Sequence, residues 1–308
     1  MITSFLAFVW NPSEGIEIGS FVIRFYSLMF VVAFAIGWYI MKHIFNRENE
    51  PIEKLDSLFI YTVIATLIGA RLGHVIFYQS ELFREDPLSI LLPIRTKPTF
   101  EFTGFSGLAS HGAAIAIILF MVYFSKKIMK QSLLWVLDRV VIPVASGAIF
   151  VRLGNFFNSE IVGHETNSRF GIKFVQDYYN KNDAVLNTKI ANPKDAYKAI
   201  SENPDYTYLL DKVPALHPSQ LYEAFGYIFV FLILFFMYWK TEARKKEGLL
   251  FGTFMVLLWS VRFVVEFVKA SQGGFEEYPL FNSLTTGQWL SIPFILIGLY
   301  YIFRPKKV

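Results

Sequence analysis

Trp135-Val-Leu-Asp-Arg-Val-Val-Ile-Pro-Val-Ala-Ser-Gly-Ala-Ile-Phe-Val151 runs without a break into Arg152-Leu-Gly-Asn-Phe-Phe-Asn-Ser-Glu-Ile-Val-Gly163. The first part is mostly apolar over a length that suits a bilayer crossing. The second gathers an arginine, two asparagines and a glutamate between Arg152 and Glu160. A guanidinium at bilayer depth costs at least ~2.5–3.5 kcal/mol on insertion scales, so such a residue is rarely idle. Arg152 offers a planar fork of donors suited to phosphate, and Asn155 and Asn158 add neutral amides three positions apart. Gly154 and Gly163 let backbone or ligand come close. The competing reading is a helix end whose arginine snorkels to the interface.

The rest of the chain has the same character. Of its 308 residues 54% are hydrophobic, 33 of them phenylalanine, and the apolar residues fall in blocks. Helices of about 20 apolar residues satisfy their own backbone in lipid, so an all-α polytopic integral membrane protein is expected. The net charge of +4 sits in short loops between apolar blocks and is not a nucleic-acid signal. With no cysteine in the chain, any thiol chemistry must use a substrate's thiol. The opening residues lack a basic region and soon reach Asn11-Pro-Ser-Glu-Gly15, so no cleavable signal peptide is expected.

About seven spans are predicted, near 21–40, 56–78, 106–124, 134–152, 219–239, 249–269 and 288–303. Lys42, Arg47 and Lys54 follow the first span, and Lys126, Lys127 and Lys130 the third. Lys240, Arg244, Lys245 and Lys246 follow the fifth, and Arg304, Lys306 and Lys307 close the chain. The positive-inside rule then puts the N-terminus outside and the C-terminus in the cytoplasm. Two exterior stretches are more than turns. Residues 79–105, with Pro87, Pro93, Pro98 and aromatics, suggest an interfacial arm; residues 164–216 suggest a polar insert or lid. Within the insert Asn192-Pro193 is placed to cap a short helix through Ala199 and Ile200. Arg71-Leu-Gly73 and Arg152-Leu-Gly154 echo one another on two spans, too briefly to make a repeat.

Placed by depth, the polar residues converge on the outer half of the membrane: Tyr26, Arg71, His111, Arg152, His217, Glu223, Arg262 and Glu266. Asp56, Asp138 and Arg139 lie near inner ends and read as interface anchors. Arg262 and Glu266, four apart, suit either an intrahelical ion pair or a cavity lining. His217 and Glu223 read as a cap and brace for the fifth span. No histidine cluster has metal-ligand spacing, and neither a Gly-x-Ser-x-Gly elbow nor a phosphate loop occurs. What remains is a cationic, amide-lined pocket suited to an anionic phospholipid headgroup, with no cofactor or metal expected.

Arg152-Leu-Gly-Asn-Phe-x-Asn-x-Glu-x-x-Gly163 resembles the signature of the prolipoprotein diacylglyceryl transferases, the bacterial enzymes that lipidate lipoprotein precursors. Arg24-Phe-Tyr26, Gly69-Ala-Arg71-Leu-Gly73 with Tyr78, Ser110-His111-Gly112, His217-Pro-Ser-Gln-Leu-Tyr-Glu223 and Arg262-Phe-Val-Val-Glu266 are similar to the family's other motifs. Ser27 stands where the family usually has glycine, and Lys269-Ala-Ser271 where it often has arginine followed by Pro-Asp. The resemblance implies transfer of diacylglyceryl from phosphatidylglycerol to the lipobox cysteine of a prolipoprotein signal peptide, releasing glycerol phosphate. It also implies a multi-pass protein among the lipids of the bacterial cytoplasmic membrane, its site facing the outer leaflet. His111, Arg152 and Arg262 would be catalytic. Tyr26, Arg71, Asn155, Asn158, Glu160, Gly163 and Glu266, with Arg152, would bind substrate. A phospholipid transporter or flippase would explain buried arginines but not His111, and calls for inverted repeats or broken helices that are not found. A lipid-phosphate hydrolase would want a metal or nucleophile.

Overall fold

Apolar blocks become helices here because a helix satisfies its own backbone groups where water is excluded. The computed structural model describes residues 8–19, 21–92, 94–97, 99–102, 107, 109–271, 273 and 283–305. The opening residues 1–7, Pro93, Pro98, Ser106, Leu108, Lys306 and Lys307 lie outside the described residues. Long helices are α1 (Phe25–Glu48), α2 (Ile52–Tyr78), α4 (Ser110–Tyr123), α5 (Leu133–Phe157), α10 (Ser219–Lys240), α11 (Leu249–Val265) and α12 (Thr286–Phe303). Shorter ones intervene: α3 (Leu82–Glu85), α6 (Val175–Tyr178), α7 (Lys181–Thr188), α8 (Pro193–Glu202) and α9 (Thr207–Leu210). Among the described residues six stretches are long and apolar enough to cross a membrane: α1, α2, His111–Met129, α5, α10 and α12. The sixth expected span, 249–269, is helical only over α11, which is apolar but 17 residues long.

The helical expectation misses one component. Short strands occur as β1 (Phe8–Trp10), β2 (Gly15–Ile18), β3 (Phe21–Arg24), β4 (Ile94–Arg95), β5 (Glu101–Phe102), β6 (Ile172–Phe174) and β7 (Ala215–Leu216). Runs of two to four residues are too short to leave a period-two signal. The first predicted span therefore opens as strand: β3 pairs antiparallel with β2, and helix begins only at Phe25. Strand β6 pairs parallel with the N-terminal β1 and antiparallel with β7, so the two ends of the 164–216 stretch close on each other and β6 ties them to β1.

The chain forms two compact units, residues 1–37 with 141–308, and residues 38–140; the divisions fall inside α1 and α5. In the second unit α2 and α4 pack through small residues: a side chain at Gly73 would stand 2.6 Å from the Gly112 Cα. Such close approach suits helices in lipid, where van der Waals contact replaces the hydrophobic effect. Arg139, expected as an interface anchor, is instead 2% exposed, 3.1 Å from Glu48 and over the Trp135 ring.

After α2 the chain of this unit is fastened by two side chains. Arg71 donates from Nε to the Ile90 carbonyl (2.9 Å) and from Nη2 to the Ser89 carbonyl (2.6 Å). Asp86 accepts from the Ser89 hydroxyl and from the Thr96 backbone N–H (2.7 Å) and hydroxyl (2.5 Å). These hydrogen bonds hold the Asp86 carboxyl well below the usual carboxylate range.

In the first unit the 164–216 stretch has a core of its own, built from Val175, Tyr179, Ala184, Ala196, Ile200 and Leu209 among others. The Asn192 side chain accepts from the Lys194 N–H (2.9 Å) and Pro193 opens α8, the expected cap. Helices α10, α11 and α12 of the same unit pack against one another in sequence.

Candidate active site

Helix α5 carries the signature as far as Phe157, so Arg152 and Asn155 lie one turn apart on its last turns. The chain then leaves the helix through Ser159 (φ 53°) and Ile161 (φ 62°), on either side of Glu160. A β-branched residue at positive φ is a strained exception, held only when its surroundings dictate it. Here they do. The Ser219 hydroxyl donates to the Ile161 carbonyl (2.5 Å), and the Gln220 amide to the Glu160 carbonyl (2.6 Å). Gly163 N–H donates to the His217 carbonyl (2.8 Å), His164 N–H to that of Val268 (2.8 Å), and Ala270 N–H to that of Val162 (3.1 Å). The loop is thus stitched to the head of α10 and to the exit of α11. Gly163 is required: a Cβ there would lie 2.6 Å from the His217 Cβ and 2.8 Å from its carbonyl oxygen.

Inside this frame the side chains form one network. Arg152 Nε stands 2.5 Å from Glu223 Oε2, and Nη1 donates to the Asn155 side-chain oxygen (3.2 Å). The Asn155 amide donates to Glu160 Oε1 (2.6 Å). Tyr26 packs its ring where a side chain at Gly154 would fall, and its hydroxyl feels both Arg152 and Glu160. Glu223 is 1% exposed, and neither of its oxygens takes a hydrogen bond of regular geometry; the guanidinium is what compensates it. Removing one partner of such a pair strands the other, at a cost of about 3–5 kcal/mol. Tyr227, one turn along α10, interacts with the charges of Arg152, Glu223 and Arg262. Nε and Nη1 of Arg152 are thus engaged by Glu223 and Asn155, and the guanidinium also hydrogen-bonds the Tyr227 hydroxyl, which leaves two of its five N–H donors for a ligand.

Arg262 is positioned by α11, its guanidinium 5.6 Å from the Trp259 ring, which stacks on Phe294 at 4.2 Å. Its buried Nε has no hydrogen-bond partner among the described residues. Glu266 does not close on it as an intrahelical ion pair. The helix ends at Val265, and Glu266 meets Lys269 instead, Nζ to Oε2 3.2 Å, the lysine 5% exposed. A side chain at Gly287, in the first turn of α12, would fall 2.6 Å from Glu266 Oε2.

Of the residues picked from sequence, this unit brings together Tyr26, Arg152, Asn155 and Glu160, with Gly163 as the seam of their loop; Arg262 and Arg152 both act electrostatically on Tyr227. Asn158 is exposed and only its backbone is engaged. Arg71 and His111 belong to the other unit. There Arg71 holds backbone carbonyls, while exposed His111 packs edge-on against Phe77 (4.9 Å) and near Tyr78 (5.9 Å). Sequence reasoning missed Glu223 as the partner of Arg152, Ser219 and Gln220 as the loop's anchors, and Lys269 as the partner of Glu266. The polar run Ser219–Glu223 on an otherwise apolar helix was the available signal.

A family model described as prolipoprotein diacylglyceryl transferase matches residues 14–304. The chain belongs to this family. Similar relatives come from several bacteria. The phosphatidylglycerol–prolipoprotein diacylglyceryl transferase of Tolumonas auensis is 33% identical over 97% of each chain. That of Chloroherpeton thalassium is 34% identical over 97% of this chain and 94% of its own. One from Rickettsia bellii is 30% identical over 94% of each. In this transferase the family's signature is thus the end of α5 and the strained loop after it.

Proposed function

We propose that this chain moves the diacylglyceryl group of phosphatidylglycerol onto the lipobox cysteine of a prolipoprotein, at the Arg152 network and Arg262. Membership of the transferase family carries the reaction; Arg152, held by Glu223, Asn155 and Tyr227 with N–H donors to spare, carries the assignment of the site. The cysteine thiolate attacks the glycerol carbon that bears the phosphate. The C–S bond forms as the C–O bond breaks, and the electron pair leaves with glycerol phosphate. Negative charge grows on the phosphate, and donors already aimed at it stabilise that charge without reorganising. Arg152 and Arg262 supply them. Asn155 and Glu160 hold Arg152 and the loop, Glu266 braces the exit of α11, and Tyr26 meets the headgroup.

The attacking thiol belongs to the substrate, consistent with a chain lacking cysteine. His111 takes the thiol proton. Arg71 serves substrate binding through the 79–105 arm that it fastens, and exposed Asn158 is open to the substrate. Lys and Arg placement puts the N-terminus outside, the C-terminus in the cytoplasm and the site toward the outer leaflet of the bacterial cytoplasmic membrane. The 164–216 insert would then stand outside as a lid.

The test is direct: purified protein, phosphatidylglycerol labelled in its acyl chains, and a lipobox peptide. Label should appear on the cysteine, with glycerol phosphate released in equal amount. Release of diacylglycerol without label on the peptide would point to hydrolysis and overturn the reading.

A further inference from the structure

Glu223 is a buried carboxylate that the reaction as written does not use. It sits 2.5 Å from the Nε of Arg152 and is 1% exposed. Two further carboxylates of the site are engaged: Glu160 is tied through Asn155 to Arg152, and Glu266 meets Lys269. Tyr227 lies within the electrostatic reach of Arg152, Glu223 and Arg262. Three cations (Arg152, Arg262 and Lys269) therefore stand with three carboxylates (Glu160, Glu223 and Glu266). The net charge of these named groups is close to zero.

The substrate and product of the proposed reaction differ in charge. Phosphatidylglycerol is a phosphodiester and carries one negative charge. Glycerol phosphate is a phosphomonoester, with a second pKa near ~6 and a charge of about −1.5 to −2 at neutral pH. A pocket of uncompensated arginines would bind the product more tightly than the substrate, because the interaction grows with ligand charge. We infer that Glu223 is a positioning and charge-compensating residue: it holds Arg152 by its Nε edge and cancels its charge, so that the pocket accepts a phosphodiester and releases a phosphomonoester. This rests on the Arg152–Arg262 phosphate site proposed above.

The experiment uses two water-soluble headgroups as inhibitors of the transfer reaction: glycerophosphoglycerol, a diester, and glycerol phosphate, a monoester. In Glu223→Gln, which keeps the shape and loses the charge, both should bind more tightly. A potential acts on each ligand in proportion to its charge, so a gain of about threefold for the diester implies roughly tenfold for the monoester. The ratio of the two inhibition constants should therefore shift toward the monoester by about two- to threefold, while kcat falls and product inhibition deepens. Glu223→Asp keeps the charge but moves the carboxylate, so kcat should fall with the ratio left as in the wild type. A purely structural role would weaken both inhibitors together, with a lower melting temperature, and that result overturns the inference. An unchanged ratio in Glu223→Gln overturns it as well. If neither headgroup inhibits the wild-type enzyme, the phosphate site itself is misplaced; if both inhibit and only the ratio fails to move, the site stands and the role of Glu223 falls.

Discussion

Arg152 has five N–H donors, and the fold engages three of them. Nε faces Glu223, Nη1 faces Asn155 and the Tyr227 hydroxyl takes a third, which leaves two donors for a ligand and fixes the plane of the guanidinium. Lysine would keep the charge but replace the fork with a single point donor that cannot hold all three directions. Arg152→Lys should therefore lower kcat by at least ~10²-fold, about 2.7 kcal/mol, with little change in melting temperature. The same loss is expected with short-chain phosphatidylglycerol, since the contact is to the headgroup. Normal turnover would return Arg152 to a snorkelling anchor. His111 is tested by different means. It is exposed at the head of α4 against two aromatic rings, free of an ion pair among the described residues. His111→Gln should reduce the rate by ~10²–10⁴-fold, and the loss should shrink at high pH, where the substrate thiol ionises unaided. A pH–rate profile parallel to the wild type would demote it. The triplet Arg-Leu-Gly shows how little three letters fix: at Arg71 the guanidinium binds backbone carbonyls, and at Arg152 it binds a carboxylate and an amide.

At the scale of elements, two side chains far from the phosphate site carry structure that can be measured. Asp86 gathers Ser89 and Thr96, and its carboxyl is held below the usual range. A depressed folded pKa gives stability that is full above the unfolded value of ~3.9 and is lost as pH falls through the lower folded value. Backbone exchange in residues 82–96 should stay slow down to about pH 4 and quicken only below it. Asp86→Asn should make that exchange fast at every pH; equal protection in the variant would remove Asp86 as the fastener. Gly287 meets the Glu266 carboxylate at the first turn of α12. Gly287→Ala should destabilise by about 1–3 kcal/mol and disturb the Lys269 pair, seen as a lowered melting temperature. These elements also show what a sequence can disclose. The long helices were legible because apolar length is a composition signal, and Asn192-Pro193 because a cap is local. The positive φ of Ile161 was not legible, because hydrogen bonds from α10 and α11 residues distant in sequence impose the bend around it. Glu223 was read as a brace for its own helix, since its partner is 71 positions away by number and no local pattern links them.

Across the whole molecule, the charges divide by location. Arg244, Lys245 and Lys246 lie between α10 and α11, which is the pattern of a cytoplasmic loop. The signature network lies at the opposite end of α10, together with the 164–216 stretch and its separate buried core. A folded polar segment of that kind cannot rest in hydrocarbon, so it and the network share the side away from these three basic residues. That side is the exterior if the positive-inside rule holds for this chain. Reporters that are active only in the cytoplasm, fused at Lys245 and after Val308, should both be active, and one inserted at Asn187 in the α7 helix should be silent. The pairing of outcomes matters more than any single one. A silent reporter after Val308 with an active one at Asn187 would invert the protein and face Arg152 toward the cytoplasm. The lipobox cysteine would then have to be modified before its signal peptide crosses, and the assignment of the site to the outer leaflet would fail with it.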